Sequence, residues 1–501
     1  GTANVHPMTC EVALALGRAV AHQAKHGDHR HRIVIGKDTR VSGYMVEMAF
    51  ASGVCSMGVD ALLLGPLPTP AVAFITRNMR ADAGVMISAS HNPFEDNGIK
   101  IFARDGFKLP DSKELDLERF MTCDDVEAIR PTKDEVGKAF RIDDAMGRYI
   151  VKLKSVVPPQ MDLEGLKVVI DCANGAAYKV APMVLEELGA EVVALGNKPD
   201  GRNINLDCGA LYPQNLAKSV LEHGADLGVA LDGDADRLVV VDHKGEVVDG
   251  DCLLALTAQS MMQDGTLVGN TMVTTVMSNL ALDRAVEGFG GRVIRTQVGD
   301  RYVVQAMREG DFRFGGEQSG HLVYLDHAST GDGMVGALKL MTMMKQSGKA
   351  LADLKKVFVP FPQSLVSVRV KNKTPITELD VVSKLIADVE GKLGGDGRVV
   401  QRLQRHHEQR ALGDAAVHGG EPRGGDGHLR LRDRLQRAVQ EVWHRHRRLG
   451  GVALLHRRLP GRVRLSWRVG VRRRPPLAAP PLPPRFPRRC AARAWQIPCC
   501  W

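Results

Sequence analysis

The sequence predicts an α/β protein of several domains: three successive βαβ-type domains around a central cleft, then a smaller α+β fourth domain that is incomplete. Three observations carry this. An apolar β-branched run, a turn, a segment of helical period and a second apolar run recur three times along the chain. Each recurrence ends in a loop dense in polar residues, where ligands gather at the carboxyl ends of such strands. And 501 residues, 44% hydrophobic and 25% charged, are too many for one core but the mix of a globular protein.

In the first unit, assigned to residues 1–140, His31–Gly36 reads as a strand, Gly43–Met57 as a helix, and Ala83–Ile87 as a buried strand delivering Ser88-Ala89-Ser90-His91-Asn92-Pro93. The second, 141–241, has strands at Leu166–Asp171, Glu191–Leu195 and Leu227–Leu231 and a helix at Ala177–Leu188. Its last strand delivers Asp232-Gly233-Asp234-Ala235-Asp236-Arg237. The third, 242–357, places strands at Thr271–Val276 and Arg292–Arg295 and a helix at Leu280–Phe289 before Gly315-Gly316-Glu317-Gln318-Ser319-Gly320-His321. A fourth unit, 358–402, begins with an alternating strand, Leu365–Val370, and a helical stretch, Val381–Val389.

From position 403 the composition changes. Residues 401–501 hold 23 arginines and no lysine against six acids, so the net charge of +9 comes wholly from this end and the first 400 residues are net acidic. The stretch contains all four tryptophans yet no Lys, Asn, Thr, Tyr or Met. It reads as an out-of-frame translation of GC-rich DNA or as a disordered basic arm, although an arm ordinarily uses Lys and Ser as well. The genetic code favours the first: Leu403-Gln404-Arg405-His406 can be encoded CTA CAG CGG CAC, and one base later this reads Tyr-Ser-Gly-Thr.

No apolar stretch reaches the roughly 18 residues of a membrane span, and no signal peptide pattern opens the chain, so the cytoplasm is the expected location. The nine cysteines lack zinc spacing and read as incidental thiols.

Asp232, Asp234 and Asp236 alternate with small residues, so in an extended loop the three carboxylates can face one point and suit Mg²⁺. By itself the run is also the pattern of a solvated turn. An EF-hand is excluded, because its sixth position is Arg237 and its twelfth His243. Arg237 can grip a phosphate held by the same metal. Ser90, at a strand end beside His91 and ten residues before Lys100, is placed to accept a phosphoryl group if those cations and the aspartates converge on it; an isolated serine in a turn is more often a cap. Glu317 and Ser319, set among glycines, form a loop whose backbone can approach a ligand closely and whose short polar groups suit sugar hydroxyls; by itself the run is equally the pattern of a plain glycine turn. The strand-end loops carrying Arg40 and Gly299-Asp300-Arg301 add further polar groups.

The serine, aspartate and Gly316–His321 motifs, in this order and spacing, resemble the α-D-phosphohexomutase superfamily over residues 1 to about 402. The Ser-Ala-Ser-His loop, Val298-Gly299-Asp300-Arg301 and Gln318 are most similar to the bacterial phosphoglucosamine mutases. The resemblance implies a mutase of the isomerase class that converts glucosamine 6-phosphate to glucosamine 1-phosphate through a 1,6-bisphosphate, for UDP-N-acetylglucosamine and cell-wall precursor synthesis. It makes Ser90 the phosphoserine and Asp232, Asp234, Asp236 and Ser90 the ligands of one Mg²⁺ per chain. His91, Lys100 and Arg237 would assist transfer. Glu317, Ser319, Arg40, Gly299, Asp300, Arg301 and Arg402 would bind substrate, with a hexose 1,6-bisphosphate as activator.

Two departures accompany the resemblance. The family's phosphate-anchoring Arg-x-Ser-Gly-Thr loop survives only as Arg402, and the chain starts at Gly1-Thr2-Ala3-Asn4, just after the place of a family Gly-Thr-Asp-Gly-x-Arg-Gly loop. A catalytically impaired member is therefore one expectation, and poor solubility from apolar faces at Val366, Val368 and Val370 another. Rival readings are a phosphomannomutase or phosphoglucomutase, a metal-dependent phosphatase, and a nucleic-acid binder using the arginines. The expected partners are small sugar phosphates; membranes and nucleic acid are not expected, and a homodimer is left open.

Overall fold

The computed structural model describes residues 1–122, 124–370, 380–393, 398–403 and 411–418. The chain divides into two units, Gly1–His446 and Arg447–Trp501, the second lying outside the described residues.

Three sheets repeat one plan. In the first, β1 (Arg32–Lys37) pairs in parallel with β2 (Asp60–Pro66) and β3 (Ala83–Ile87), β4 (Ile99–Ala103) returns antiparallel beside β3, and β5 (Ala139–Arg141) extends the far edge. In the second, β6 (Lys167–Asp171) lies between β7 (Glu191–Leu195) and β8 (Leu227–Leu231). There β9 (Leu238–Asp242) returns antiparallel to β8 and β10 (Val247–Val248) follows it. In the third, β11 (Thr271–Thr275) stands between β12 (Arg292–Thr296) and β13 (Phe314–Gly316), and β14 (Leu322–Tyr324) returns antiparallel to β13. Central parallel strands are covered by helices on both faces, which is why Ile33, Val34 and Ile35, or Val168, Val169 and Ile170, are all fully buried and apolar without alternation. The polar loop of each domain is the connection from its third strand to its antiparallel fourth.

Helix starts follow local capping chemistry. The Asp249 carboxylate accepts the Cys252 N–H at the start of Gly250–Gln263, and Asp332 accepts the N–H groups of Met334 and Val335 at the start of Gly333–Ser347. That second helix ends on Gly348, whose φ of 64° is the left-handed conformation of a helix stop.

The domains are joined by packed apolar surface. One cluster runs from Val72 on the helix Thr69–Asn78 and Met86 of the first sheet through Tyr149, Ile170 and Val229 to Leu254 and Met341. Tyr149 Oη donates to Asp332 Oδ2 at 2.7 Å inside it. A further tie is Asp242, which accepts from Lys355 Nζ at 2.6 Å and from the N–H groups of Lys244 and Glu246. Burial pushes the Asp242 carboxyl up, but these donors outweigh it and hold its pKa below the ordinary value. A depressed carboxyl contributes stability above its unfolded pKa and loses it as pH falls through the folded one. Lys355→Ala should therefore cost about 1.5–3 kcal/mol at neutral pH. In chemical unfolding across pH, the gap between the two chains should close below about pH 4; a gap that stays constant into acid would show that the pair contributes nothing.

The fourth sheet has the order β15 (Gln363–Val370), β17 (Ala411–His418), β16 (Arg398–Leu403), all antiparallel, beside the helix Asp380–Leu393. The central strand thus comes from the stretch expected to be an anomalous tail, because the backbone edges of β15 and β16 take an eight-residue strand between them whatever its side chains. The side chains of Val366, Val368 and Val370 lie outside the described residues, as does the rest of 419–501. No helix among the described residues is long and apolar enough to cross a membrane.

Candidate active site

The Ser90 loop is held from below. Ser90 itself has φ 51°, a left-handed conformation unusual for a residue with a side chain. The Arg40 guanidinium, fully buried, donates to the carbonyls of Ser90 at 2.9 Å, Asn92 at 2.8 Å and Pro93, and to Asp38 Oδ2 at 2.8 Å. Asn205 of the second domain donates to the Ser90 and Asn92 carbonyls at 2.9 and 3.0 Å. Ser88 Oγ donates to Asp38 and accepts the Ser90 N–H. Arg40, expected to contact substrate, has its donors spent on the protein and sets the loop's shape.

Above this cradle, Ser90 Oγ donates to Asp232 Oδ2 at 2.6 Å and lies 3.3 Å from His91 Nδ1. The close meeting of the two loops depends on Gly233: a Cβ there would come 2.6 Å from the Ser90 carbonyl oxygen and 2.8 Å from Asn205 Nδ2.

Asp232, Asp234 and Asp236 are buried and offer carboxylate oxygens within 4.8 Å of one another. Lys100, on β4, donates to Asp234 Oδ2 at 2.5 Å and Asp236 Oδ2 at 2.8 Å. Thr69 Oγ1 also donates to Asp234. One oxygen each of Asp234 and Asp236 remains buried without any hydrogen-bond partner. Burial, then the charges of Asp236 and Asp234, push the Asp232 carboxyl up to about 8. Asp236 goes the other way: burial opposes ionisation, but Lys100 and His321 hold it well below the usual carboxylate range. Three packed carboxylates with two orphaned hard oxygens fit a small divalent cation such as Mg²⁺, which would satisfy both atoms and relieve the mutual repulsion. Burial opposes charge on Lys100 too, yet Asp234 and Asp236 outweigh it and raise its pKa, so it remains a cation. Burial and the neighbouring Arg237 lower the His91 pKa and leave that ring neutral.

His91, Asp232, Arg237, Gln318 and Ser319 line one pocket of about 280 Å³. Glu317 Oε1 accepts the Gly299 N–H at 3.2 Å, which sets the Glu317 loop against the start of the helix Asp300–Glu309. Gly320 has no room for a side chain: a Cβ would lie 1.9 Å from the Leu238 carbonyl oxygen. Asp300 pairs with Lys108 and lies 3.5 Å from His321 Nε2, while Arg301 pairs with Asp111 and Glu114 of the first domain. These two residues line a second cavity, about 480 Å³, between the first and third domains. Arg402 lies on β16 opposite Asp414; its side chain is outside the described residues.

Four polar residues of the site were not singled out from the sequence. Asp38 stands in the same loop as Arg40 and could have been paired with it. His321, buried 3.6 Å from Asp236, directly follows the Gly-Glu-Gln-Ser-Gly run. Thr69 and Asn205 carry no local signal, since both reach the site only through domain packing.

Family models for phosphoglucomutase/phosphomannomutase α/β/α domains I, II and III match residues 1–126, 147–245 and 249–361. A phosphoglucosamine mutase of Citrifermentans bemidjiense is 60% identical over 402 residues, 80% of this chain and 88% of that one. One of Myxococcus xanthus is 58% identical over 403 residues, with the same shares. In fold, the chain matches a phosphoglucomutase/phosphomannomutase family protein of Burkholderia thailandensis with a TM-score of 0.70 at 23% identity, over 88% of this chain and 96% of that one. It also matches an N-acetylphosphoglucosamine mutase of Aspergillus fumigatus in complex with GlcNAc-6P and magnesium, at TM-score 0.56 and 16% identity, over 85% and 99%. Three domain models in unbroken order, together with relatives near 60% identity along most of their own length, establish that the chain belongs to the phosphoglucomutase/phosphomannomutase family of α-D-phosphohexomutases.

Proposed function

We propose that the chain interconverts glucosamine 6-phosphate and glucosamine 1-phosphate, with Ser90 as the phosphoryl carrier. The carrying observation is Ser90 Oγ 2.6 Å from Asp232, within a buried three-carboxylate cluster flanked by Lys100 and Arg237. The sugar assignment is supported by relatives at 57–60% identity that are phosphoglucosamine mutases.

Phosphorylated Ser90 faces the sugar 1-hydroxyl. The Oγ–P bond breaks as a bond from phosphorus to the sugar 1-oxygen forms; the neutral His91 ring, with Nδ1 3.3 Å from Ser90 Oγ, takes up the proton that the sugar hydroxyl loses and returns one to Ser90 Oγ. The 1,6-bisphosphate then reverses in the cleft, and its 6-phosphoryl returns to Ser90, leaving glucosamine 1-phosphate. Lys100 Nζ, held between Asp234 and Asp236 beside the Ser90 loop, is placed to neutralise phosphoryl oxygens. Arg237 does the same from the pocket side. When bound at Asp232, Asp234 and Asp236, a divalent cation supplies further charge to the transferring group. A hexose 1,6-bisphosphate serves as activator by charging Ser90.

The test is ³¹P NMR with glucosamine, mannose and glucose 6-phosphates side by side, Mg²⁺ and a catalytic amount of hexose 1,6-bisphosphate. The expected result is turnover fastest with the glucosamine ester. EDTA should lower it by at least about 100-fold, and added Mg²⁺ should restore it. Faster turnover of mannose or glucose phosphate would move the chain to another branch of the family, and release of inorganic phosphate would make it a phosphatase.

A further inference from the structure

A second cluster of metal-ligating groups lies in the first domain, at the end of the sheet where β1 and β3 begin, opposite the strand ends that carry Ser90. His26, His29 and His31 occupy the loop between the helix Cys10–Ala24 and β1, where Gly27 has φ 74° and turns the chain sharply between the first two. Asp82 stands immediately before β3, the neighbour of β1 in the sheet. The three rings surround its carboxylate: His29 Nε2 is 2.9 Å and His26 Nε2 3.8 Å from Asp82 Oδ1, and His31 Nδ1 is 3.5 Å from Asp82 Oδ2. Ligand atoms of His26, His29 and Asp82 all lie within 4.8 Å of one another.

Two features separate this cluster from a chance gathering of surface histidines. His31 is 8% exposed, and its Nδ1 is buried without a hydrogen-bond partner although it faces the cluster. Such an atom carries an uncompensated desolvation cost until something satisfies it. The remaining groups are also oriented as an outer shell would orient them: the Arg32 N–H donates to Asp82 Oδ2 at 2.9 Å, and His26 Nδ1 is engaged by the Ala24 carbonyl at 2.7 Å, which leaves Nε2 as the ligand atom. That Nε2 now meets the Arg104 guanidinium at 3.3 Å, a contact on the exposed side that a metal would displace.

We infer that His26, His29, His31 and Asp82 form a binding site for a transition metal, with Zn²⁺ the fitting ion. Imidazole nitrogens with one carboxylate suit Zn²⁺ or Ni²⁺ and not Mg²⁺, so this site and the aspartate cluster select different cations. Zinc–ligand bonds near 2.0–2.1 Å require ligand atoms roughly 3.3 Å apart, within reach of small rotations of the half-exposed His26 and His29. The bound ion would tie the loop ahead of β1 to the entry of β3. It would stabilise the domain that presents Ser90 without taking part in transfer.

The experiment is titration of Zn²⁺ into the full chain, prepared without a polyhistidine tag and saturated with Mg²⁺ so that the aspartates are occupied. Calorimetry and thermal unfolding are followed in the natural chain and in a His26→Ala, His29→Ala double variant. Both side chains are about half exposed, so the variant keeps the core intact. The expected outcome is one Zn²⁺ per chain, a rise in unfolding temperature with Zn²⁺ concentration, and more than about 100-fold weaker binding in the variant. Zinc binding that is the same in both chains would assign the metal to cysteines or other groups and overturn the site, as would a natural chain that binds none.

Discussion

Ser90→Ala should lower mutase turnover by at least about 10³-fold, the largest single-residue effect expected in this chain. Every other group around the transferring phosphoryl acts on it through charge or position, and several could partly cover for one another. In the proposed reaction Ser90 Oγ alone makes and breaks the covalent bond. Folding should survive the change, because the loop is shaped by Arg40 and Asn205 through the Ser90 carbonyl, not through its side chain. The left-handed conformation at position 90 is no worse for alanine than for serine. Intact mass gives an independent reading: after incubation with a hexose 1,6-bisphosphate the natural chain should carry one added phosphoryl group and the variant none. A variant that still turned over at about a tenth of the natural rate, or that was phosphorylated equally, would remove Ser90 from the mechanism.

How far the sequence could be read depends on whether a signal is local. Buried central strands such as Leu227–Leu231 and Ala83–Ile87 were legible to the residue, because a run covered on both faces must be apolar throughout. The strand Asp60–Pro66 is an equally apolar run that was passed over, since no polar loop marks its end. Helix ends shifted more: Ala177–Leu188 was expected and Val180–Glu187 is formed, as the residues after Gly175 first turn against the Gly233 carbonyl. The antiparallel return strands β4, β9 and β14 were not foreseen. They explain why Lys100, ten residues beyond Ser90, points back at the aspartates: a hairpin brings it there. Arg40 reads from the sequence as a substrate contact and is found beneath the Ser90 loop, for a related reason. A charged residue in a strand-end loop looks like a ligand contact until packing shows that three carbonyls beneath the serine have claimed it.

Restoring the reading frame after Arg402 should raise kcat/KM for glucosamine 6-phosphate by about 10²–10⁴-fold, chiefly through KM. Two charge-assisted hydrogen bonds to the distal phosphate, each worth ~1.5–3 kcal/mol, would come from an Arg-Tyr-Ser-Gly-Thr loop in place of Arg402-Leu403-Gln404-Arg405-His406. The fourth sheet gives this repair a structural argument beyond composition. Its central strand, Ala411–His418, must be covered on both edges, yet it contains Gly413 and Asp414, two of the residues least suited to a strand interior. Gly413-Asp414-Ala415-Ala416 can be encoded GGT GAT GCT GCG, which one base later reads Val-Met-Leu, an apolar strand in the same slot. With those codons, the frame that would restore the phosphate loop would also supply an apolar strand where the backbone already pairs. A repaired chain should therefore unfold at higher temperature as well as bind substrate more tightly. Equal KM and equal unfolding temperature in the two chains would mean that the arginine-rich sequence is native to this protein and that the distal phosphate is held elsewhere in the cleft.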